Sequence, residues 1–181
     1  MNAILPLTDF TSDEIEGLLD LAFGCDRHGR TAYKMRQGQH WIPELSAGIR
    51  NQEGNVIGVI QSWPVSLVEP DDHRTALVLV GPVAVAPDAQ GEGLGQMLMQ
   101  HVLASADRQP QYGCTMMIGD PEYYGRFFGY DAAPTQQWAI GGPVERRRLL
   151  ARVPDGVELP IKGEIVPGWV HGDHHSIGCT A

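Results

Sequence analysis

Lysine is nearly missing from this sequence of 181 residues, in which only Lys34 and Lys162 represent it among 13 basic residues. The 22 acidic residues give a formal net charge of −9. Nucleic acids and anionic membrane surfaces bind clustered positive charge, so we predict neither as a partner. A small anionic cofactor is still compatible with this charge. The one basic run, Arg146 to Arg148, is predicted to be the solvated face of a helix.

Cysteine is also scarce, since Cys25, Cys114 and Cys179 lie far apart and form no C-x-x-C pair. Such spacing indicates neither a disulfide framework nor a zinc cluster, and it fits a reducing compartment. Cys114 begins an apolar segment, where we expect a small buried hydrophobe rather than a nucleophile. The tail HGDHHSIGC holds competent metal ligands, but their spacing matches no standard zinc pattern, and we predict no metal. These ligands are His171, Asp173, His174, His175 and Cys179.

Long apolar runs are absent as well, because none approaches the ~20 residues of a membrane-spanning helix. The N-terminal segment MNAILPLTDF has neither the positive charge nor the cleavage site of a secretory leader. We therefore predict a cytoplasmic protein. With 43% hydrophobic residues, a chain of this length predicts one domain spanning 1–181, in which roughly 153–181 form a C-terminal extension or tail.

The pattern of apolar residues divides the chain into strands and helices. The segment TSDEIEGLLDLAF, from Thr11, predicts a capped amphipathic helix. Two strand-like runs, 45–50 and 56–63, flank the turn NQEGN and predict a hairpin, and the run TALVLVGPVAVAP predicts a third strand. A helix over 94–106, the short strand CTMMIG and a short helix in DPEYYGRFFGY follow. This order predicts an α/β protein of the α+β kind, with a mixed rather than a doubly wound sheet.

Three glycines, Gly91, Gly93 and Gly95, lie where the third strand meets the following helix, in PDAQGEGLGQML. A helix start exposes unpaired N–H groups at the positive end of the helix dipole, and glycine lets an anion approach the backbone. The alternative is a turn that only connects two elements. A P-loop is excluded because its lysine is missing, and a Rossmann fingerprint because its third glycine position is Gln96.

The longer pattern V-A-V-x-P-x-x-Q-G-x-G-x-G-x-x-L runs from Val83 to Leu98. It resembles the acetyl-CoA-binding motif of the GNAT superfamily of N-acetyltransferases, whose core [QR]-x-x-G-x-[GA] corresponds to 90–95. RTAYKMRQG, QSWPVSL, IGDPEYYGRFFGY and GGPVERRRLLAR occur in the order expected of a bacterial GNAT subgroup. The resemblance covers roughly residues 3 to 152.

The resemblance implies the GNAT acyl-CoA N-acyltransferase fold, in which acetyl-CoA lies between two splayed parallel central strands. Gly81-Pro82 interrupts the first of these strands, which fits such an opening, although a simple edge bulge is the alternative. Backbone groups of Val83 and Val85 are then expected to bind the pantetheine arm or the reaction's oxyanion. The implied cofactor contacts are Val83, Ala84, Val85, Gln90, Gly91, Glu92, Gly93, Leu94, Gly95, Gln96, Tyr124 and Phe127.

The implied activity is transfer of an acetyl group from acetyl-CoA, as co-substrate, to an amine by direct attack in a ternary complex. By resemblance a tyrosine protonates the departing thiolate, and we assign Tyr124, with Tyr123 as the alternative. Tyr124 lies one residue further from Gly129-Tyr130 than the common spacing, and packing roles for the two rings are the competing interpretation. Asp120 and Glu122 are expected to cap a helix rather than act as a base.

No general base stands out in the sequence. His28 and His40 lie in the segment that walls the acceptor pocket by resemblance, but exposed histidines are the commoner explanation. Trp41 and Trp63 fit a pocket lining and a core role equally well.

Two further functions remain open from the sequence. One is a non-catalytic regulator that binds acetyl-CoA, and the other is a transferase of a longer acyl group. The acceptor is an unidentified amine, on a small molecule or a peptide. Related enzymes are often dimers, so the resemblance also implies a homodimer.

Overall fold

A computed structural model describes residues 3–169 of the protein, and this part of the chain holds eight β-strands and four α-helices joined by short 3-10 turns. The strands are β1 Ile4–Pro6, β2 Ala47–Arg50, β3 Val56–Val68, β4 Arg74–Val85, β5 Thr115–Ile118, β6 Gln137–Ile140, β7 Leu149–Arg152 and β8 Lys162–Pro167. The helices are α1 Ser12–Phe23, α2 Thr31–Lys34, α3 Leu94–Asp107 and α4 Pro121–Phe128. The His-rich tail lies outside the described residues. None of the described helices is long and apolar enough to cross a membrane.

All eight strands belong to one mixed sheet, which confirms the predicted fold class. Its main path is β1-β2-β3-β4-β5-β7, and β4 and β5 are the parallel pair within that path. β8 pairs antiparallel with the far end of β3, over Val65–Val68, and parallel with β6. The predicted strand order lacked β1, a short strand whose three residues show no alternation of polar and apolar side chains.

Helix α1 begins as the sequence predicts. The Thr11 side chain accepts a hydrogen bond from the Glu14 N–H, and the Glu14 carboxylate accepts one from the Thr11 N–H at 2.8 Å. Arg50 of β2 donates to the same carboxylate at 2.6 Å, and together with Thr11 it lowers the pKa of Glu14 to about 2. The cap of α1 is therefore tied to the sheet. The inner face of the helix buries Ile15, Leu18 and Leu19.

The central strands β4 and β5 separate part of the way along the sheet. They pair at Val78↔Thr115 and Leu79↔Met116, after which β4 continues to Val85 without β5 beside it. At the point of separation β4 also changes register against β3, because Gly81 and Pro82 lie opposite a single residue of that strand. Gly81 has a φ of +117°, which a side chain would strain. The splayed central strands are therefore present.

The buried apolar residues form two clusters. One holds the inner faces of α1 and α3 against β2, β3 and β4. The other surrounds Trp138 of β6, whose side chain is fully buried and donates its indole N–H to the Pro160 carbonyl at 2.8 Å. Cys114 belongs to this second cluster, as predicted, and burial raises the pKa of its thiol to about 11. The second cluster fixes β6 and β8 to the end of the sheet that lies away from α3.

Candidate active site

A cleft of about 250 Å³ lies where β4 has separated from β5. Its walls come from the end of β4, the start of α3, the first turn of α4 and the last residues of α1. The predicted site residues that line it are Val83, Ala84, Val85, Gln90, Gly95, Tyr123 and Tyr124. The splay therefore brings together residues from three separate segments of the sequence.

The other predicted contacts lie outside the walls of the cleft. Gly91, Glu92 and Gly93 are exposed in the loop before α3, and Gln96 is half-buried on the first turn of that helix. Leu94 is buried in the core, so only its backbone is available to a ligand. Phe127 is 47% exposed on α4 and packs against the Tyr123 ring, with ring centroids 5.2 Å apart. The structure does not place Phe127 in the cleft.

The loop between β4 and α3 has the geometry of an anion cradle. Gly91 and Gly93 have φ angles of +87° and +79°, and Gly93 caps α3 in the left-handed conformation. The first intrahelical bond runs from the Met97 N–H to the Gly93 carbonyl at 3.0 Å. The N–H groups of residues 94–96 thus have no acceptor among the described residues, and they lie at the positive end of the α3 dipole.

The open edge of β4 also carries unpaired backbone groups. The Ala86 N–H donates to the Ile57 carbonyl at 2.9 Å and therefore points towards β3. Successive residues of a strand alternate in direction, so the N–H groups of Val85 and Val83 point to the opposite side, into the cleft. Because β5 has ended its pairing with β4 at Leu79, no strand within residues 3–169 pairs with these groups, and a ligand could bind them.

Tyr124 lies between this cleft and a second cavity. Asp120 caps α4 by accepting a hydrogen bond from the Glu122 N–H at 3.2 Å, which confirms the predicted capping role. The Tyr123 and Tyr124 rings are perpendicular, with centroids 5.0 Å apart. The Tyr124 hydroxyl has no hydrogen-bond partner in the described part of the chain. Burial, reinforced by Tyr123, raises the pKa of Tyr124, so its hydroxyl is neutral and holds its proton at neutral pH.

Gly119, just before α4, allows Tyr124 to take this position. A Cβ atom on Gly119 would lie 2.6 Å from two atoms of the Tyr124 ring, closer than atoms pack. The Gly119 N–H donates to the Arg148 carbonyl at 2.9 Å, which fixes the backbone at this point. The sequence analysis did not identify Gly119, because its importance depends on a side chain five residues away that folds back onto it.

The second cavity, of about 740 Å³, extends from Tyr123 and Tyr124 along the other side of the splay. Segment 27–36, which includes α2, forms its opposite wall, and the Thr31 hydroxyl holds this wall to the β6–β7 loop by donating to the Pro143 carbonyl at 2.6 Å. We call this space the acceptor-side cavity. Its charged lining residues are Arg27, Arg30, Arg36, Arg148 and Asp120.

The two histidines and two tryptophans considered in the sequence do not line either of these cavities. His28 and His40 are exposed, as the commoner interpretation predicted, and Trp41 and Trp63 are half-buried against the two apolar clusters. Arg146 to Arg148 form a 3-10 turn, so the prediction of a helix face is wrong, although all three are exposed. Residues 3–169 contain no group of three or more His, Cys, Asp or Glu residues arranged to hold a metal.

Comparison with known proteins agrees with this geometry. The profile of the Acetyltransferase (GNAT) family matches residues 15–129. Two solved structures share the fold over 92% of the chain, each at 22% identity: the GNAT family N-acetyltransferase YhbS from Escherichia coli in complex with CoA, and a GNAT family acetyltransferase from Brucella melitensis in complex with acetyl-CoA. Their TM-scores are 0.67 and 0.62, and the matches cover 88% and 95% of their chains.

None of the curated proteins compared with the chain matches it in sequence. The family profile nevertheless extends from α1 to the end of α4 and includes both the glycine loop and the two tyrosines. It spans more than half of the chain, and the mixed sheet with separated central strands agrees with it. The chain therefore belongs to the GNAT family of acetyltransferases.

Proposed function

We propose that this protein is an acetyl-CoA-dependent N-acetyltransferase that transfers the acetyl group to an amine within a ternary complex. The observation that carries the proposal is the cleft itself. It has unpaired amide groups at the start of α3 near one end and the Tyr124 ring at the other. The CoA and acetyl-CoA complexes of the two structural neighbours support a coenzyme A thioester as its ligand.

The proposed cofactor position follows from the backbone groups. The pyrophosphate accepts hydrogen bonds from the N–H groups around Gly91, Gly93 and Gly95, where it also meets the positive end of the α3 dipole. The pantetheine arm lies along the open edge of β4 and binds Val83 and Val85 as an added strand would. The thioester then comes near Tyr124.

The proposed reaction makes one bond and breaks one bond. The amine nitrogen, after losing a proton to solvent, attacks the thioester carbonyl, and its oxygen accepts a hydrogen bond from the N–H of Val83 or Val85. The new C–N bond forms and the C–S bond breaks. The nitrogen releases a second proton to solvent as the amide forms, and the departing thiolate takes the Tyr124 proton, which solvent later replaces. Asp120 is engaged in capping α4, and we assign no side chain as general base.

Acetyl-CoA binding and amine acetylation are tested separately. A binding ligand stabilises the native state, so we expect acetyl-CoA at about 100 times its dissociation constant to raise the melting temperature by several degrees. A panel of amines is then assayed for acetyl-CoA-dependent release of free CoA thiol. Binding without thiol release from any amine would favour the regulator, and faster release from longer acyl-CoA donors would favour the alternative transferase. An unchanged melting temperature with acetyl-CoA would exclude both the acetyltransferase and the acetyl-CoA-binding regulator.

The proposal takes the chain as one acetyltransferase domain, with the residues after about 153 as a C-terminal extension that contributes β8 to the sheet. It also places the protein in the cytoplasm as a homodimer. Light scattering of the purified full chain measures the assembly, and fractionation of cells that express it measures the location.

Glu92 is expected to weaken cofactor binding. Its carboxylate is exposed between Gly91 and Gly93 and forms no ion pair with any described residue, so it repels a pyrophosphate at the start of α3. We expect Glu92→Arg to lower the dissociation constant of acetyl-CoA about fivefold at low ionic strength, and less at high salt because exposed charges are screened. Titration calorimetry at two salt concentrations measures this, with the remote Glu158→Arg as control. Equal constants for Glu92→Arg and wild type at low salt would contradict the expectation.

A further inference from the structure

The charge of the acceptor-side cavity is opposite to the charge of the whole protein. The chain has a formal net charge of −9, yet four arginines and a single acid line this space. A charge inside a cavity acts on a ligand more strongly than distant surface charges do, because water screens it less. The local field therefore favours an anionic group, even though the overall charge attracts cations.

Three of the four arginines are already engaged with the protein. Arg27 is buried and binds Glu16 and Asp20 at 2.5 and 2.8 Å, and these hydrogen bonds raise its pKa although burial alone would lower it. Arg30 donates to the Phe23 carbonyl and Arg148 to the Gly119 carbonyl. These contacts fix the orientation of their side chains.

Arg36 differs from the other three. Its Nε and Nη1 atoms are buried, and neither finds a hydrogen-bond acceptor within residues 3–169. Its guanidinium packs over the rings of Tyr33 and Trp63, 4.4 and 5.8 Å from their centroids. Burial, partly offset by Tyr33, lowers its pKa to about 10, which leaves the group charged at neutral pH.

Aromatic faces stabilise a cation, but they do not satisfy the in-plane N–H groups of a guanidinium. A buried charge with unused donors is unfavourable unless another group supplies the acceptors. No carboxylate among the described residues lies within ion-pair distance of Arg36, whereas its neighbour Arg27 has two. We therefore expect a ligand in the acceptor-side cavity, which Arg36 lines, to supply the missing hydrogen-bond acceptor.

We propose that the acceptor amine also carries an anionic group, a carboxylate or a phosphate, and that the Arg36 guanidinium binds this group in the acceptor-side cavity. This inference rests on the proposed function, because it defines the substrate class of that transfer. It favours amino acids and phosphorylated amines over polyamines and other purely cationic amines.

Matched pairs of amines test the substrate class with the wild-type protein. One arm compares each α-amino acid with its carboxamide, and the other compares O-phosphoethanolamine with ethanolamine. We expect the anionic member of the effective pair to show about a tenfold or greater advantage in kcat/KM, after correction for the fraction of free amine. The two arms distinguish a carboxylate from a phosphate. Neutral members that react as well as the anionic ones would overturn the inference and leave the proposed function intact.

Arg36→Gln tests the assigned side chain. We expect it to remove most of the advantage of the anionic acceptor by raising KM, with a smaller change in kcat and an unchanged dissociation constant for CoA. The control is Arg108→Gln, at the end of α3, which lines neither cavity. An equal loss for anionic and neutral amines would contradict the assignment, and weaker CoA binding would show that Arg36 serves the cofactor instead. Should Arg36→Gln fail to fold, Arg36→Lys is used instead, because lysine keeps the positive charge but lacks the planar N–H donors of the guanidinium.

A measurement that does not depend on acetyl transfer distinguishes the anion site at Arg36 from the proposed function. Acetate or inorganic phosphate is added to the CoA-saturated protein at constant ionic strength, with chloride as the reference anion. We expect a larger rise in melting temperature for wild type than for the Arg36 variant. If no amine is acetylated but this difference persists, the proposed function fails while the anion site stands. Equal rises in melting temperature for wild type and the Arg36 variant would overturn the proposed anion site.

Discussion

Replacing Tyr124 with phenylalanine is expected to lower kcat for acetyl transfer by about 100-fold, the lower range for losing a general acid. The dissociation constant of acetyl-CoA is expected to change little, because the ring that lines the cleft stays in place. The hydroxyl is free of protein partners in residues 3–169, so its removal leaves no buried group unsatisfied. Steady-state rates with a saturating acceptor, together with a binding titration, measure both quantities.

The pH profile identifies the group that acts as the acid. An acid must be protonated to react, so activity is lost as the pH rises through its pKa. Burial raises the pKa of Tyr124, and the alkaline fall in kcat is therefore expected above the ordinary range of a tyrosine. Tyr124→Phe should remove this fall. Tyr123→Phe is the matched control, and if it alone causes the loss of kcat, the two tyrosines exchange roles.

Gly119→Ala is expected to lower kcat by about 100-fold as well, although it leaves every reacting group in the protein. The new Cβ atom would lie 2.6 Å from the Tyr124 ring, so the ring must move, and displacements near 1 Å can have an effect of this size. Steady-state kinetics and a CoA titration measure the change. The control is Gly17→Ala on α1, where nothing lies within 4 Å of the new atom.

The double variant shows whether Gly119 acts through Tyr124. If its role is to position that ring, Gly119→Ala should cause little further loss of kcat in a Tyr124→Phe background. Additive losses would mean that the substitution damages the site in another way. A kcat for Gly119→Ala within twofold of wild type would contradict the close contact itself.

The features that the sequence predicted well are those encoded by neighbouring residues. The capping box at Thr11, the glycine loop before α3 and the interruption at Gly81-Pro82 each depend on local backbone chemistry. Local patterns were enough to locate the end of β4 and the start of α3, and these two elements define the proposed cofactor side of the cleft. Leu94 and Phe127 were assigned from the motif, which does not determine which way a side chain points.

The resemblance assigned the segment around His28 to the acceptor pocket, but the side chains that line the acceptor-side cavity were not predicted, because they depend on contacts between distant segments. Arg27 and Arg36 belong to the same polar segment, and no local signal shows that Arg27 pairs with carboxylates on α1 while Arg36 packs over aromatic rings. The Thr31–Pro143 hydrogen bond joins residues 112 positions apart. The prediction of a helix at Arg146 to Arg148 failed because the run is too short to determine its own conformation.

Tyr123 and Tyr124 line both the cleft and the acceptor-side cavity, and thus lie where the two spaces meet. A donor held on one side of this pair does not fill the space on the other, so neither substrate has to depart before the second arrives. This arrangement supports the proposed direct transfer, in which the acetyl group passes from donor to acceptor without first residing on the protein. Double-reciprocal plots of rate against one substrate, at several concentrations of the other, would then give intersecting rather than parallel lines.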